Sequence, residues 1–85
     1  MPRIIDGIHC NIVGEKIKYY RKKRKYSQKT LSDKLETMAI YVCRGSISRV
    51  EDGSRTVTDI ELYGFAKVLG VSIEDLFPDE DENLY

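Results

Sequence analysis

Apolar residues recur along this chain with the period of a helix. Val13, Ile17 and Tyr20, followed by Arg24, fall at i, i+4, i+7 and i+11, which predicts a first helix over about 13–24 with its three leading stripe members buried. Ser27 stands where a second helix needs an N-cap, its hydroxyl able to accept from a free backbone N–H, although position N3 is Thr30 and not the Glu of a full capping box. Leu31, Leu35, Met38 and Val42 continue the helical stripe. The apolar run at 38–42, MAIYV, therefore belongs either to a lengthened second helix or to an apolar loop over Ala39 to Val42.

A third helix is predicted over about Arg44 to Asp52, with Ile47 and Val50 turned inward and Gly53 at the left-handed C′ position. Thr58 and Glu61 read as a capping box opening a fourth helix, where Leu62, Phe65, Ala66 and Leu69 hold i, i+3, i+4, i+7 spacing before Gly70. A short fifth helix follows: Ser72 caps it, Asp75 is at N3, Ile73, Leu76 and Phe77 face the core, and Pro78 stops it. No useful strand-period alternation, repeat or low-complexity tract interrupts this pattern. The expected fold is all-α, a compact five-helix bundle over 13–77, with an N-terminal arm (1–12) and an acidic tail (78–85), the tail alone being read as mobile.

At 85 residues the chain is expected to form one small domain with no room for a second, catalytic one. It has no apolar run near the ~20 residues of a membrane span, and the start MPRIIDGIHC lacks signal-peptide architecture, so the expectation is a soluble, cytoplasmic protein. Net charge is zero, but the zero is a sum of opposites. Residues 1–30 carry nine Lys/Arg against two Asp/Glu, and residues 31–85 carry five against twelve. Such asymmetry fits one basic face that meets a polyanion and one acidic face that does not.

The segment from Ser27 to Gly53, SQKTLSDKLETMAIYVCRGSISRVEDG, opens one helix with Ser-Gln and closes another with Ile-Ser-x-Val-Glu-x-Gly. It resembles the Cro/repressor-type helix-turn-helix, the xenobiotic-response-element (XRE) family of bacterial and phage transcriptional regulators. The flanks GEKIKYYRKKRKYSQ and VTDIELYGFAKVLGVSIEDLF also occupy expected places, so the resemblance covers about 13–77. The turn departs from the pattern: fifteen residues separate Leu31 from Ile47, about five more than usual for the family.

Recognition in the major groove needs polar side chains on the outer face of a helix, and with Ile47 and Val50 buried that face carries Arg44, Gly45, Ser46, Ser48 and Arg49. The resemblance implies base or nearby backbone contacts for Arg44, Gly45, Ser48 and Arg49. Either arginine can pair bidentately with guanine; the plainer alternative is a surface pairing with Glu51 or Asp52. Gly45 either permits close approach to DNA or marks a late helix start with Ser46 as N-cap and Arg44 in the loop. The resemblance assigns phosphate contacts to Gln28, with Lys29 as a weaker candidate, and to the loop Ser54, Arg55 and Thr56, where ordinary solvated residues are the alternative. It also implies an ion pair between Arg21 and Glu51 that ties the first helix to the third, against the alternative of a loose surface pair.

His9, Cys10 and Cys43 are three potential ligands without metal-site spacing, so neither a metal nor a cofactor is expected. Cys43 at the start of the third helix could carry a lowered pKa and be oxidised; an ordinary small buried residue is the simpler expectation. Nothing in the sequence pairs a nucleophile with a base, and no enzymatic activity is expected. The expected partner is double-stranded DNA, bound by a repressor; if the chain forms a homodimer, the fifth helix, the arm or the tail must supply the contact. The alternative is a protein-interaction module, an antitoxin or antirepressor partner, docking through MAIYV and the acidic tail.

Overall fold

Local capping signals set most helix ends in the computed structural model, which describes residues 10–79. Helix α1 spans Gly14–Lys23, α2 Gln28–Glu36, α3 Arg44–Glu51 and α4 Asp59–Leu69, and a single 3-10 turn covers Glu74–Leu76. The Ser27 hydroxyl accepts from the Thr30 N–H at 2.9 Å, satisfying one of the free donors of α2. Thr58 and Glu61 form the full reciprocal box at the start of α4. Gly53 and Gly70 close α3 and α4 with φ of 84° and 72°, left-handed values that cost glycine no Cβ clash.

The expected five-helix bundle is corrected to four α-helices and one 3-10 turn among the described residues. Ser72 and Asp75 do cap each other reciprocally, each accepting the other's backbone N–H at 3.1 Å. Pro78 disfavours helical geometry at the residue before it, and Phe77 is extended (φ −86°, ψ 152°), so the helix stops after a single turn. Leu76 is buried as expected, whereas Ile73 and Phe77 are exposed, because a turn this short presents a single side chain to the core.

Helices α1 and α2 each pack against both α3 and α4, and the terminal turn packs against α1. Ile17, Leu31, Leu35, Ile47, Val50, Phe65, Leu69 and Leu76 are fully buried between them. Each contributes roughly 1.5–3 kcal/mol of transfer free energy. Val13 is buried as its stripe position predicts, while Tyr20 is half-buried and Arg24 exposed.

The long α2–α3 connection is an apolar loop and not an extended helix. Ala39 turns left-handed at φ 61°, and the Met38, Ala39 and Ile40 N–H groups bond to the last carbonyls of α2, ending it at Glu36. Ile40 and Val42 then point into the core, Met38 is half-buried, and Tyr41 between them faces solvent. Gly64 in α4 makes room for this. A Cβ there would lie 2.6 Å from Ile40 Cδ1 and 3.0 Å from Leu35 Cδ2. The notch outweighs the cost of about 1 kcal/mol for a mid-helix glycine, since it lets Ile40 bury.

The described residues hold no helix long and apolar enough to cross a membrane. The arm up to residue 9, including His9, and the tail from residue 80 lie outside the described residues.

Candidate nucleic-acid interface

Helix α3 is held from behind by charge as well as by apolar packing. Arg21 of α1 donates from Nε to Glu51 Oε2 at 2.6 Å and from Nη2 to Glu51 Oε1 at 3.0 Å, while its Nη1 reaches the Tyr26 carbonyl at 2.8 Å. Both residues are only 8% exposed. This is the implied ion pair in its buried, bidentate form, a geometry that orients two helices about fixed axes. Gln28 joins it, its Nε2 donating to Glu51 Oε1 at 3.1 Å. The first residue of α2 is thereby anchored to the last residue of α3.

With Ile47, Val50 and Glu51 turned inward, Arg44, Gly45, Ser48 and Arg49 lie exposed on the outer face, and Ser46 is half-buried beside them. Cys43 is the N-cap, with φ −71° and ψ 166°, so α3 starts at Arg44 and the late start with Ser46 as cap is excluded. The expectation that Cys43 is a buried filler is corrected, because burial of Val42 turns the next side chain outward. A 3.4 Å hydrogen bond joins its Sγ to Ser46 Oγ, and this partner, more than the nearby Arg49, holds the thiol below its ordinary pKa. Arg49 Nη2 donates to the same Ser46 oxygen at 3.3 Å, which lays the guanidinium along the outer face of α3. Gly45 has open space around it: a Cβ would come no nearer than 3.8 Å to Arg49.

Beyond α3, the Ser54 hydroxyl donates to Asp52 Oδ1 at 2.6 Å and lowers that carboxyl's pKa, and Thr56 is exposed. Arg55 is less free than a phosphate ligand in a plain loop would be. Its guanidinium makes a two-pronged pair with Glu61 at 2.9 and 3.0 Å. At the other end of the surface, Lys29 pairs with Asp33 at 3.1 Å across one exposed helical turn. Lys18, Lys22, Lys23, Arg24 and Lys25 are exposed around α1.

The Arg55 pair, then its Thr58 capping bonds, hold Glu61 below the usual carboxylate range. A depressed folded-state pKa stabilises the fold above the unfolded value of about 4.3, and the contribution is lost as pH falls through the folded value. Thermal midpoints measured downward from neutral pH should therefore fall more steeply for the natural chain than for Glu61→Gln. Parallel curves would show that Glu61 is not linked to acid unfolding.

Asn11 had no role in the sequence reading and proves central. Its Oδ1 accepts from the Val13 and Gly14 N–H groups at 3.1 and 2.7 Å, supplying the cap that Val13 cannot. Its Nδ2 donates to the Val50 carbonyl at 3.1 Å and the Arg55 carbonyl at 2.7 Å. One side chain thus links the start of α1 to the end of α3 and the loop after it. The available signal was an Asn three residues ahead of the first helical residue, where such side chains bond forward to the backbone.

Two helices joined by a turn, the second with a polar outer face and a charged buried root, define a helix-turn-helix of DNA-binding regulators. The chain belongs to the HTH_3 helix-turn-helix family, of XRE type, whose sequence model matches residues 17–76. Its fold is similar to that of the restriction-modification controller protein C.AhdI from Aeromonas hydrophila, with a TM-score of 0.69 and 23% identity over 86% of this chain and 98% of that one. No curated protein matches the chain.

Proposed function

We propose that this protein is a sequence-specific, double-stranded-DNA-binding transcriptional regulator of the cytoplasm, most simply a repressor that occupies an operator with α3 in the major groove. The carrying observation is the outer face of α3, where Arg44, Gly45, Ser48 and Arg49 are exposed while every apolar residue of that helix faces inward. Gly45 adds weight. Glycine is about 1 kcal/mol worse than alanine in a helix, and nothing inside the protein needs the space, so its use fits close approach of a ligand's backbone or base edge.

In this reading Arg44 and Arg49 read base edges, with Ser46 orienting Arg49. Gln28, Lys29, Ser54, Arg55 and Thr56 flank them as phosphate contacts, the free N–H groups at the start of α2 assisting Gln28. Gln28 and Arg55 would keep their intramolecular partners and use remaining donors. The alternative of an antitoxin or antirepressor module loses most of its motive, since Ile40 and Val42 of the apolar run are buried. A homodimer is proposed through the side bearing the exposed Phe77, where Ile12, Val57 and Leu62 line a groove with it. Half-sites about 34 Å apart would follow from its symmetry.

One titration tests these points together, using a duplex selected from a random library by rounds of binding. Log affinity against log salt should slope at roughly −4 to −5 per subunit, with two chains per duplex. Arg49→Ala should cost about 1–3 kcal/mol at one base-pair position, while Gln28→Ala should weaken all sequences nearly equally. A flat salt response, or equal losses on selected and random duplexes for Arg49→Ala, would remove α3 from the groove.

A further inference from the structure

We infer that Tyr41 is a DNA-contacting residue supplied by the lengthened turn, its hydroxyl donating to a backbone phosphate beside the site that α3 reads. The inference rests on the proposed placement of α3. Tyr41 is 75% exposed, more than any other large hydrophobic side chain described. The flanking Ile40 and Val42 are buried on the core, and the Gly64 notch seats Ile40 against α4, so alternation along the loop fixes Tyr41 outward. It stands two residues before Cys43, the N-cap of the helix proposed to enter the groove.

The other described tyrosines have partners. Lys16 and Lys23 lie over Tyr19, Lys34 over Tyr26 and Lys67 over Tyr63, and Tyr20 meets Tyr19 edge to face. Among the described residues Tyr41 has neither a ring contact of this kind nor a hydrogen bond for its hydroxyl. Holding a tyrosine in water on a well-anchored loop brings the free protein no burial.

Local charge favours a polyanion over a protein surface of mixed sign. In a C-terminal portion rich in carboxylates, the fourteen residues Thr37 to Val50 contain no Asp or Glu, and their charged residues are Arg44 and Arg49. Tyrosine hydroxyls belong to the side chains that position proteins on DNA through phosphate oxygens. A contact from the flanking loop, outside the helix, points to the backbone and not to a base edge.

The test compares the natural chain, Tyr41→Phe, Tyr41→Ala and Arg44→Ala by fluorescence anisotropy on a duplex selected from a random library and on a random-sequence duplex at low salt. Tyr41→Phe should weaken both complexes by the same factor, about fivefold, with an unchanged thermal midpoint. Tyr41→Ala should weaken them at least as much. Natural affinity in Tyr41→Phe, alongside a loss in Arg44→Ala, would overturn the role of Tyr41 and leave that of α3 standing. A loss limited to one base-pair position would overturn the phosphate assignment, as would loss of self-association in place of DNA affinity. Failure of the natural chain to bind either duplex would overturn the α3 placement itself, and this inference with it.

Discussion

Glu51→Ala should lower the free energy of unfolding by about 3–5 kcal/mol, the largest effect expected of any charged residue described. The substitution removes a carboxylate that accepts from Arg21 twice and from Gln28 once, and leaves a guanidinium in a site only 8% exposed. A buried charge without its partner keeps its desolvation cost and loses the compensating attraction. Against the roughly 5–15 kcal/mol typical of whole domains, such a loss would bring a domain at the lower end of that range close to its unfolding midpoint. Urea unfolding provides the measurement, and the double substitution Arg21→Met with Glu51→Met provides the control. It should recover much of the loss, because removing both charges removes both desolvation costs. A cost under about 1 kcal/mol for Glu51→Ala would mean that the pair behaves like a surface one.

Gly14→Ala should cost about 3 kcal/mol, for a steric reason. A Cβ at Gly14 would overlap the Val50 carbonyl oxygen and come within 3.1 Å of Asn11 Oδ1. That carbonyl belongs to α3 and already accepts from Asn11 at 3.1 Å, so it cannot swing aside without loosening the same hub. Relief requires α1 and α3 to separate, and DNA affinity should fall with stability. Gly45→Ala offers the contrast. It adds the same methyl group where there is space, so stability should rise by about 1 kcal/mol while DNA affinity falls. If both glycines tolerate alanine equally in thermal unfolding, the close approach of the two helices is not what Gly14 serves.

These two sites show how differently their parts could be read in the sequence. The ion pair was accessible by resemblance, because Arg21 and Glu51 occupy matching places in the family's pattern. Gln28 was accessible as a residue with a role, but not its bond to Glu51. Asn11 and Gly14 were not legible as a pair, since their shared partner, the Val50 carbonyl, lies 39 residues from Asn11 in the chain. Arg55 was placed in a polar loop by its neighbours, and its pairing with Glu61 depended on the fold of the segment between them. The fifth helix shortens to a single turn because Pro78 keeps Phe77 extended, however well Ser72 caps its start.

By itself the sequence determined where α2 and α4 begin, where α3 and α4 end, and which stripes they bury. Those choices are made by groups within a few residues of each other: the Ser27 hydroxyl on Thr30, the Thr58–Glu61 box, and glycines free to turn left-handed at 53 and 70. Only the tertiary structure decided whether Met38 to Val42 would extend α2 or leave it, since the apolar pattern served both. The decision lay with distant residues. Gly64 opens a notch in α4 that accepts Ile40, Ala39 turns left-handed so that the chain can reach it, and Tyr41 is left outside as a consequence.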